Sequence, residues 1–208
     1  YFLADTHYNN TSLISPISLS PLSGWFKENT SITGMDYFLA DTHYNNTSLI
    51  SPISLSPLSG WFKENTSIMG MDYFLADTHY NNTSLTSPIS LIPLKDWFDA
   101  DRSITTLQSF LNETHYNNTS LDLVGQKIFP NWIQTLKEDI IDIENVTDAF
   151  YRMFYCDGNK TSGDTGEPTF EDGTPLSDIG TPSDNKETYT NRTSLPNYDN
   201  PSPLNGWK

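Results

Sequence analysis

The sequence predicts a repeat solenoid, an elongated stack of coils with one short strand and one short helix in each. Two observations carry this. Residues 1–36 recur as residues 37–72 with one change, Thr33 to Met69, and recur again with more divergence as residues 73–108. Tryptophans keep the same period, with Trp25, Trp61, Trp97 and Trp132 spaced by 36, 36 and 35 residues. A unit of this size cannot bury its own apolar face. Like units laid in register can, because each offers the next a surface it already matches. Stacking also sets like side chains above one another, so ladders of Asn, Tyr and Trp are expected, with Asn amides paired along the stack.

Within one copy the elements follow in order. Asn29-Thr30-Ser31-Ile32-Thr33 is β-prone, and Gly34 ends it. Thr33 to Asp36 has the spacing of a helix N-cap with an acid three residues on. Met35, Phe38 and Leu39 then fall at helical spacing, which predicts two helical turns over residues 35–41. Tyr44-Asn45-Asn46 reads as a turn. Leu49 to Leu58 holds Pro52 and Pro57; proline cannot donate to a sheet ladder, so this return is expected to be extended and irregular. Ser59-Gly60 turns the chain into Trp61-Phe62, which are expected to be buried anchors.

The tandem repeats are assigned to residues 1–156. Residues 157–189, rich in Gly, Pro, Asp, Ser and Thr, are a loop or a degenerate repeat. Residues 190–208 are a partial terminal repeat, in which Leu195 precedes Trp207 by the same 12 residues that separate Leu13 from Trp25. Tyr1 occupies the repeat phase of Tyr37 and Tyr73, so the chain reads as an excerpt from a longer array.

The series Ile32-Thr33-Gly34-Met35, Phe38, Tyr44-Asn45 and Trp61 resembles the BspA-type leucine-rich repeats of surface proteins. Those run Val-Thr-x-Met, then Phe, then Phe-Asn seven residues later, then Trp; Phe38 to Asn45 keeps the seven-residue step. Asn145-Val146-Thr147-Asp148-Ala149, followed by Met153-Phe154-Tyr155-Cys156, is the closest local match. The repeat here is longer, with the extra length in the Pro-rich return, and the Met35-to-Phe38 gap is one residue short. The resemblance implies leucine-rich-repeat-like or β-solenoid coils in a cell-surface or secreted protein used for adhesion or binding.

Composition narrows the function. The 208 residues carry a net charge of −15 and no basic stripe, which argues against a nucleic-acid backbone or an anionic membrane surface as partner. No apolar run approaches the roughly 20 residues a membrane helix needs. The single cysteine, Cys156, rules out an internal disulfide framework and reads as a free thiol or an apolar filler, with a bond between chains as the alternative.

Asn-x-Ser/Thr acceptor motifs begin at Asn9, Asn10, Asn29, Asn45, Asn46, Asn65, Asn81, Asn82, Asn112, Asn117, Asn118, Asn145, Asn159 and Asn191. That is 14 of 19 asparagines, where random placement gives about four. The motifs predict covalent N-glycans on a secreted chain; the alternative is that these residues serve as turn and ladder positions. Adjacent Asn45 and Asn46 cannot both carry sugar. His7, His43, His79 and His115 share one phase, each two residues after an acid. Such a column is either a metal ladder or a set of histidines hydrogen-bonded between coils, and the second reading is adopted, with no metal site assigned. No catalytic motif is present, and the acids simply repeat, whereas catalysis needs one asymmetric pocket. Stacked Trp and Tyr could form a carbohydrate-binding face, with core packing preferred for Trp and exposure for Tyr44 and its equivalents.

The expected protein is therefore not an enzyme and has no cofactor beyond possible N-glycans. It is an extracellular or cell-surface structural repeat protein forming a glycosylated filament or stalk by end-to-end self-association. The alternative is a surface adhesin recognising glycans or a partner protein.

Overall fold

A computed structural model of the chain describes residues 2–62, 67–97, 105–123, 126–131, 153 and 169–173. Neighbouring copies lie on one another in register. The Leu39 amide donates to the Phe74 carbonyl at 2.8 Å, Asp41 to Ala76 at 2.9 Å and Asn45 to Tyr80 at 2.8 Å. Leu3, Asp5 and Asn9 make the same bonds one copy earlier, and Leu75, Asp77 and Asn81 one copy later.

The segment that makes these bonds is not the expected helix. Tyr37 and Asp41 have φ of 55° and 54°, outside the right-handed helical region. Met35, Phe38 and Leu39 are buried, as an amphipathic helix would bury them, but a ribbon of turns delivers them. Thr42, Tyr44 and Asn46 donate to the carbonyls of Leu39, Asp41 and His43, giving three overlapping turns. The third residue of each turn, Asp41, His43 or Asn45, has φ of 54°, 63° or 55°. Positive φ at that position is the mark of a type II turn. Asp, His and Asn are the non-glycine residues most often found there.

The expected strand at 29–33 is also replaced. Asn29 Oδ1 accepts the amides of Ser31 and Ile32 at 2.9 Å each, which curls the chain before it can pair. What remains is a pair of isolated parallel bridges, Gly34 to Gly70 and Gly70 to Thr106. Gly70 is needed for that approach, since a Cβ there would meet the Thr106 methyl at 3.1 Å.

The Pro-rich return is irregular, as the prolines require, and closes in a 3-10 turn in each of the first three copies: Ser20–Leu22, Ser56–Leu58 and Ile92–Leu94. Proline is the middle residue of each and fixes φ there. A second turn then leads into the tryptophan, with Trp61 donating to Leu58 at 3.1 Å. In copy two Ser59 has ψ of 132° and Gly60 has φ of 71°, a type II turn that uses glycine. In copy three Lys95 replaces Ser59 and has ψ of −32°, which is type I geometry and needs no glycine at Asp96. The Trp97 to Leu94 bond survives at 3.1 Å.

In copy four the later part of the return reads Gln126-Lys127-Ile128-Phe129, with no proline before Pro130. Freed of proline, this segment forms β1 (Lys127–Phe129), which pairs in parallel with β2 (Thr169–Phe170). The Leu91 amide ties copy three to it through the Ile128 carbonyl at 2.7 Å. The stretch 157–189 thus contributes one strand against copy four. Residues 157–168 and 174–208, Trp132 and Cys156 lie outside the described residues.

The core fills the space between ribbon and return. Phe2, Phe38, Phe74 and Phe110 stack with ring centroids 5.9, 5.1 and 5.5 Å apart. Trp61 and Trp97 stack at 6.4 Å, and each meets the phenylalanine of its own copy edge-on. Trp61 Nε1 donates to the Leu22 carbonyl at 3.1 Å, and Trp97 Nε1 to Leu58 at 2.9 Å, so each indole is pinned to the copy before it. Trp25, at the open end, is 53% exposed where Trp61 is 0%. Trp61→Ala should therefore lower unfolding stability by about 3–5 kcal/mol. Trp25→Ala, the same change at the same repeat position, should lower it by less than about 1 kcal/mol. Urea titration of the two variants checks the contrast.

Candidate functional site: the ladder face

The turn ribbon divides its side chains by face. Thr42, His43 and Asn46 point into the stack and are fully buried, while Asp41, Tyr44 and Asn45 lie at its half-exposed edge. Copies three and four repeat the division with Thr78, His79 and Asn82, then Thr114, His115 and Asn118 inside.

The buried set is a polar column. His79 Nε2 accepts the amide of Ile53, in the preceding return, at 2.9 Å; His43 accepts Ile17 at 3.0 Å and His115 accepts Ile89 at 2.9 Å. A nitrogen that accepts carries no proton, so the neutral ring holds its hydrogen on Nδ1. In His79 that hydrogen is donated to Asn82 Oδ1 at 2.8 Å, and His115 pairs with Asn118 Oδ1 at 2.9 Å. Asn82 Nδ2 in turn donates to the His43 carbonyl at 2.8 Å, and Asn118 Nδ2 to that of His79. Thr78 Oγ1 donates to the Leu39 carbonyl at 2.6 Å, closing a second link to the copy before. The histidines are thus bonded between copies. His79 and His115 have both ring nitrogens engaged, which leaves neither a lone pair for a metal. Among the described residues no group of three or more His, Cys, Asp or Glu side chains is arranged to hold a metal ion.

This packing corrects part of the glycosylation reading. Asn46, Asn82 and Asn118 are 0% exposed, so a sugar on their Nδ2 atoms has no space. Their motifs encode a core amide. Asn45, Asn81 and Asn117 form the expected amide ladder, each Nδ2 donating to the Asn one copy earlier at 2.8–2.9 Å. Asn9 and Asn10 are exposed, Asn29 and Asn112 half-buried. Asn65, Asn145, Asn159 and Asn191 lie outside the described residues.

On the outer edge Tyr8, Tyr44, Tyr80 and Tyr116 stack face to face at 4.7, 4.5 and 4.5 Å. Burial, then the neighbouring tyrosines and acids, pushes the Tyr80 hydroxyl above its ordinary range. Beside it runs an acid column, Asp5, Asp41, Asp77 and Glu113. Partial burial, followed by repulsion from Asp41 and Glu113, pushes the Asp77 carboxyl up to about 7. His43 and His79 are held down to about 3, chiefly by burial and then by the histidines stacked on them. A second set of acids is structural: Asp36 Oδ1 accepts the Asp72 amide at 3.0 Å, and Asp72 Oδ1 accepts the Gln108 amide at 2.8 Å.

Sequence reasoning missed the His-Asn column. Its signal was present as His43 and Asn46, three residues apart and repeated in each of the first four copies. In the first copy Phe2 and Trp25 are 58% and 53% exposed, beside a shallow depression lined by Gly24, Trp25, Lys27, Glu28 and Asn29. Comparison with protein-family models, curated proteins and solved structures gives no match for the chain. Among the described residues no helix is long and apolar enough to cross a membrane.

The pH response follows from the column edges. Asp77 titrates higher in the folded chain than in the unfolded one, so its favourable contribution holds below the ordinary carboxylate range and is lost as pH rises toward 7. His43 and His79 act oppositely: burial requires them neutral, and stability falls as pH drops from 6.5 toward 3. Asp77→Asn should therefore stabilise the protein at pH 8 by about 1–3 kcal/mol, discounted for partial exposure, and leave it unchanged at pH 4. Denaturant midpoints at the two pH values check this.

Proposed function

We propose that this chain is a structural repeat protein of the extracellular space or cell surface, a solenoid whose copies stack into a filament or stalk with a sugar-bearing exterior. The observation that supports it most directly is the stack itself. The ribbon amides at matching positions of copies one, two and three each bond to a carbonyl of the next copy, and copies one and two differ at one residue in 36. Selection on a periodic packing surface or recent duplication accounts for such near-identity, and no catalytic step is assigned to it. The density of acceptor motifs, the lack of a basic surface and the resemblance to BspA-type surface repeats fit the same location. End-to-end association would extend the stack without a new kind of contact.

A second reading, a surface adhesin, is favoured by one observation. The half-exposed tyrosine ladder runs beside a ladder of Asn amides, and stacked rings with adjacent amides suit a sugar chain or an extended partner.

Electron microscopy and intact-mass measurement of protein from a secreting eukaryotic host separate these. The structural reading expects fibres of constant width. It also expects mass lost on glycan removal, with no sugar on Asn46, Asn82 or Asn118. Monodisperse single particles that bind an oligosaccharide array would favour the adhesin. Sugar on Asn82 would contradict the packing itself.

A further inference from the structure

We infer that Met69 is a peroxide-reactive modification site, whose thioether takes up one oxygen atom as a sulfoxide while the stack around it stays intact. The inference goes beyond the structural reading and does not depend on it. The chain has four methionines. Met35, Met71 and Met153 are 8%, 0% and 1% exposed and belong to the apolar core, whereas Met69 is 52% exposed. Copies one and three flank Met69 on both sides. Its amide donates to the Thr33 carbonyl of copy one at 2.9 Å, and its carbonyl accepts the amides of Thr105 and Thr106 of copy three at 2.8 and 3.2 Å. Its exposure therefore belongs to the outer surface of the stack, and further copies added along the axis would leave it in solvent.

The reactant is hydrogen peroxide, which must reach the sulfur to react. The sulfur lone pair attacks one peroxide oxygen and the O–O bond breaks. The departing hydroxide takes the proton left on the transferred oxygen and leaves as water. Sulfur loses two electrons, peroxide gains them, and the product is methionine sulfoxide. The position tolerates this change. The bonds that tie Met69 to both neighbours are made by its backbone, including a fourth in which Thr105 Oγ1 donates to the Met69 carbonyl at 3.2 Å. None of them uses sulfur. Copies one and three carry threonine at the same phase, Thr33 and Thr105, so a polar side chain already fits there. Met71, only two residues on, is the opposite case. A sulfoxide at that sulfur would set a polar oxygen into the apolar core, where an unmatched acceptor is costly.

The test treats the full folded chain with hydrogen peroxide and follows each methionine over time by peptide-mapping mass spectrometry. Met69 should gain one oxygen atom at least about tenfold faster than Met35, Met71 or Met153. In denaturing urea the four rates should converge. Equal rates in the folded chain, or a first oxygen on a core methionine, would overturn the assignment. The urea midpoint of the chain oxidised at Met69 alone should equal that of the untreated chain, and a clear drop would overturn the tolerance. Met69→Thr, which restores the residue that copies one and three carry, should keep the midpoint and lose the fast site. Methionine oxidation in that variant as fast as in the original chain would also overturn the assignment.

Discussion

The whole arrangement depends on one constraint, the register between neighbouring copies. Ribbon amides such as Leu39, Asp41 and Asn45 find carbonyls 35 residues on, at Phe74, Ala76 and Tyr80, while the His43 amide reaches back to Thr6. A slip of one residue would break several such bonds and would turn the buried Thr42, His43 and Asn46 out of the stack. Register is held from inside as well as along the backbone. The His79 ring reaches the preceding return at Ile53, and Asn82 fixes both the ring and the carbonyl of His43. Buried polar groups of this kind add little net stability when satisfied but penalise any other alignment heavily. The apolar ladders of Phe and Trp supply the driving force, and the polar column selects the alignment in which they act.

The ribbon geometry carries a conformational cost. Residues such as Tyr37, Asp41, His43 and Asn45 hold positive φ, each at an expense of about 1–2 kcal/mol relative to ordinary backbone. An isolated copy has nothing to offset that strain. Within the stack the offset comes from the amides that the left-handed residues aim at the next copy. The same geometry makes the two edges of a copy chemically unlike, so the stack has a direction built into every unit. Identical neighbours and a directional edge together let one contact serve at every step.

Much of this was legible in the sequence, and the rest was hidden for definite reasons. The period, the tyrosine and asparagine ladders, the burial of Trp61-Phe62 and the irregular Pro-rich return followed from spacing and from proline chemistry. The helix over 35–41 did not form, because Met35, Phe38 and Leu39 satisfy helical spacing equally well when a turn ribbon buries them. The alternation Asp41, His43, Asn45 carried the correct signal, since those three residue types tolerate left-handed backbone, but periodicity of apolar residues overrode it. Acceptor motifs at Asn46, Asn82 and Asn118 could not be told from exposed ones, because a core amide and a surface turn use the same short string. The third copy shows the limits in the other direction: replacing Ser59-Gly60 with Lys95-Asp96 changes the turn type yet keeps the Trp97 amide bond.

The register itself is open to a direct measurement. Ile50 and Thr86 occupy the same phase in adjacent copies, both are exposed, and Thr86 Oγ1 lies 3.5 Å from the Ile50 carbonyl. Nitroxide labels placed on Cys at these two positions, in a chain with Cys156→Ser, report their separation through continuous-wave electron paramagnetic resonance. Copies lying directly on one another predict strong dipolar and exchange broadening that is absent from either single-labelled chain. A double-labelled spectrum equal to the sum of the two single-label spectra would contradict the stacked register.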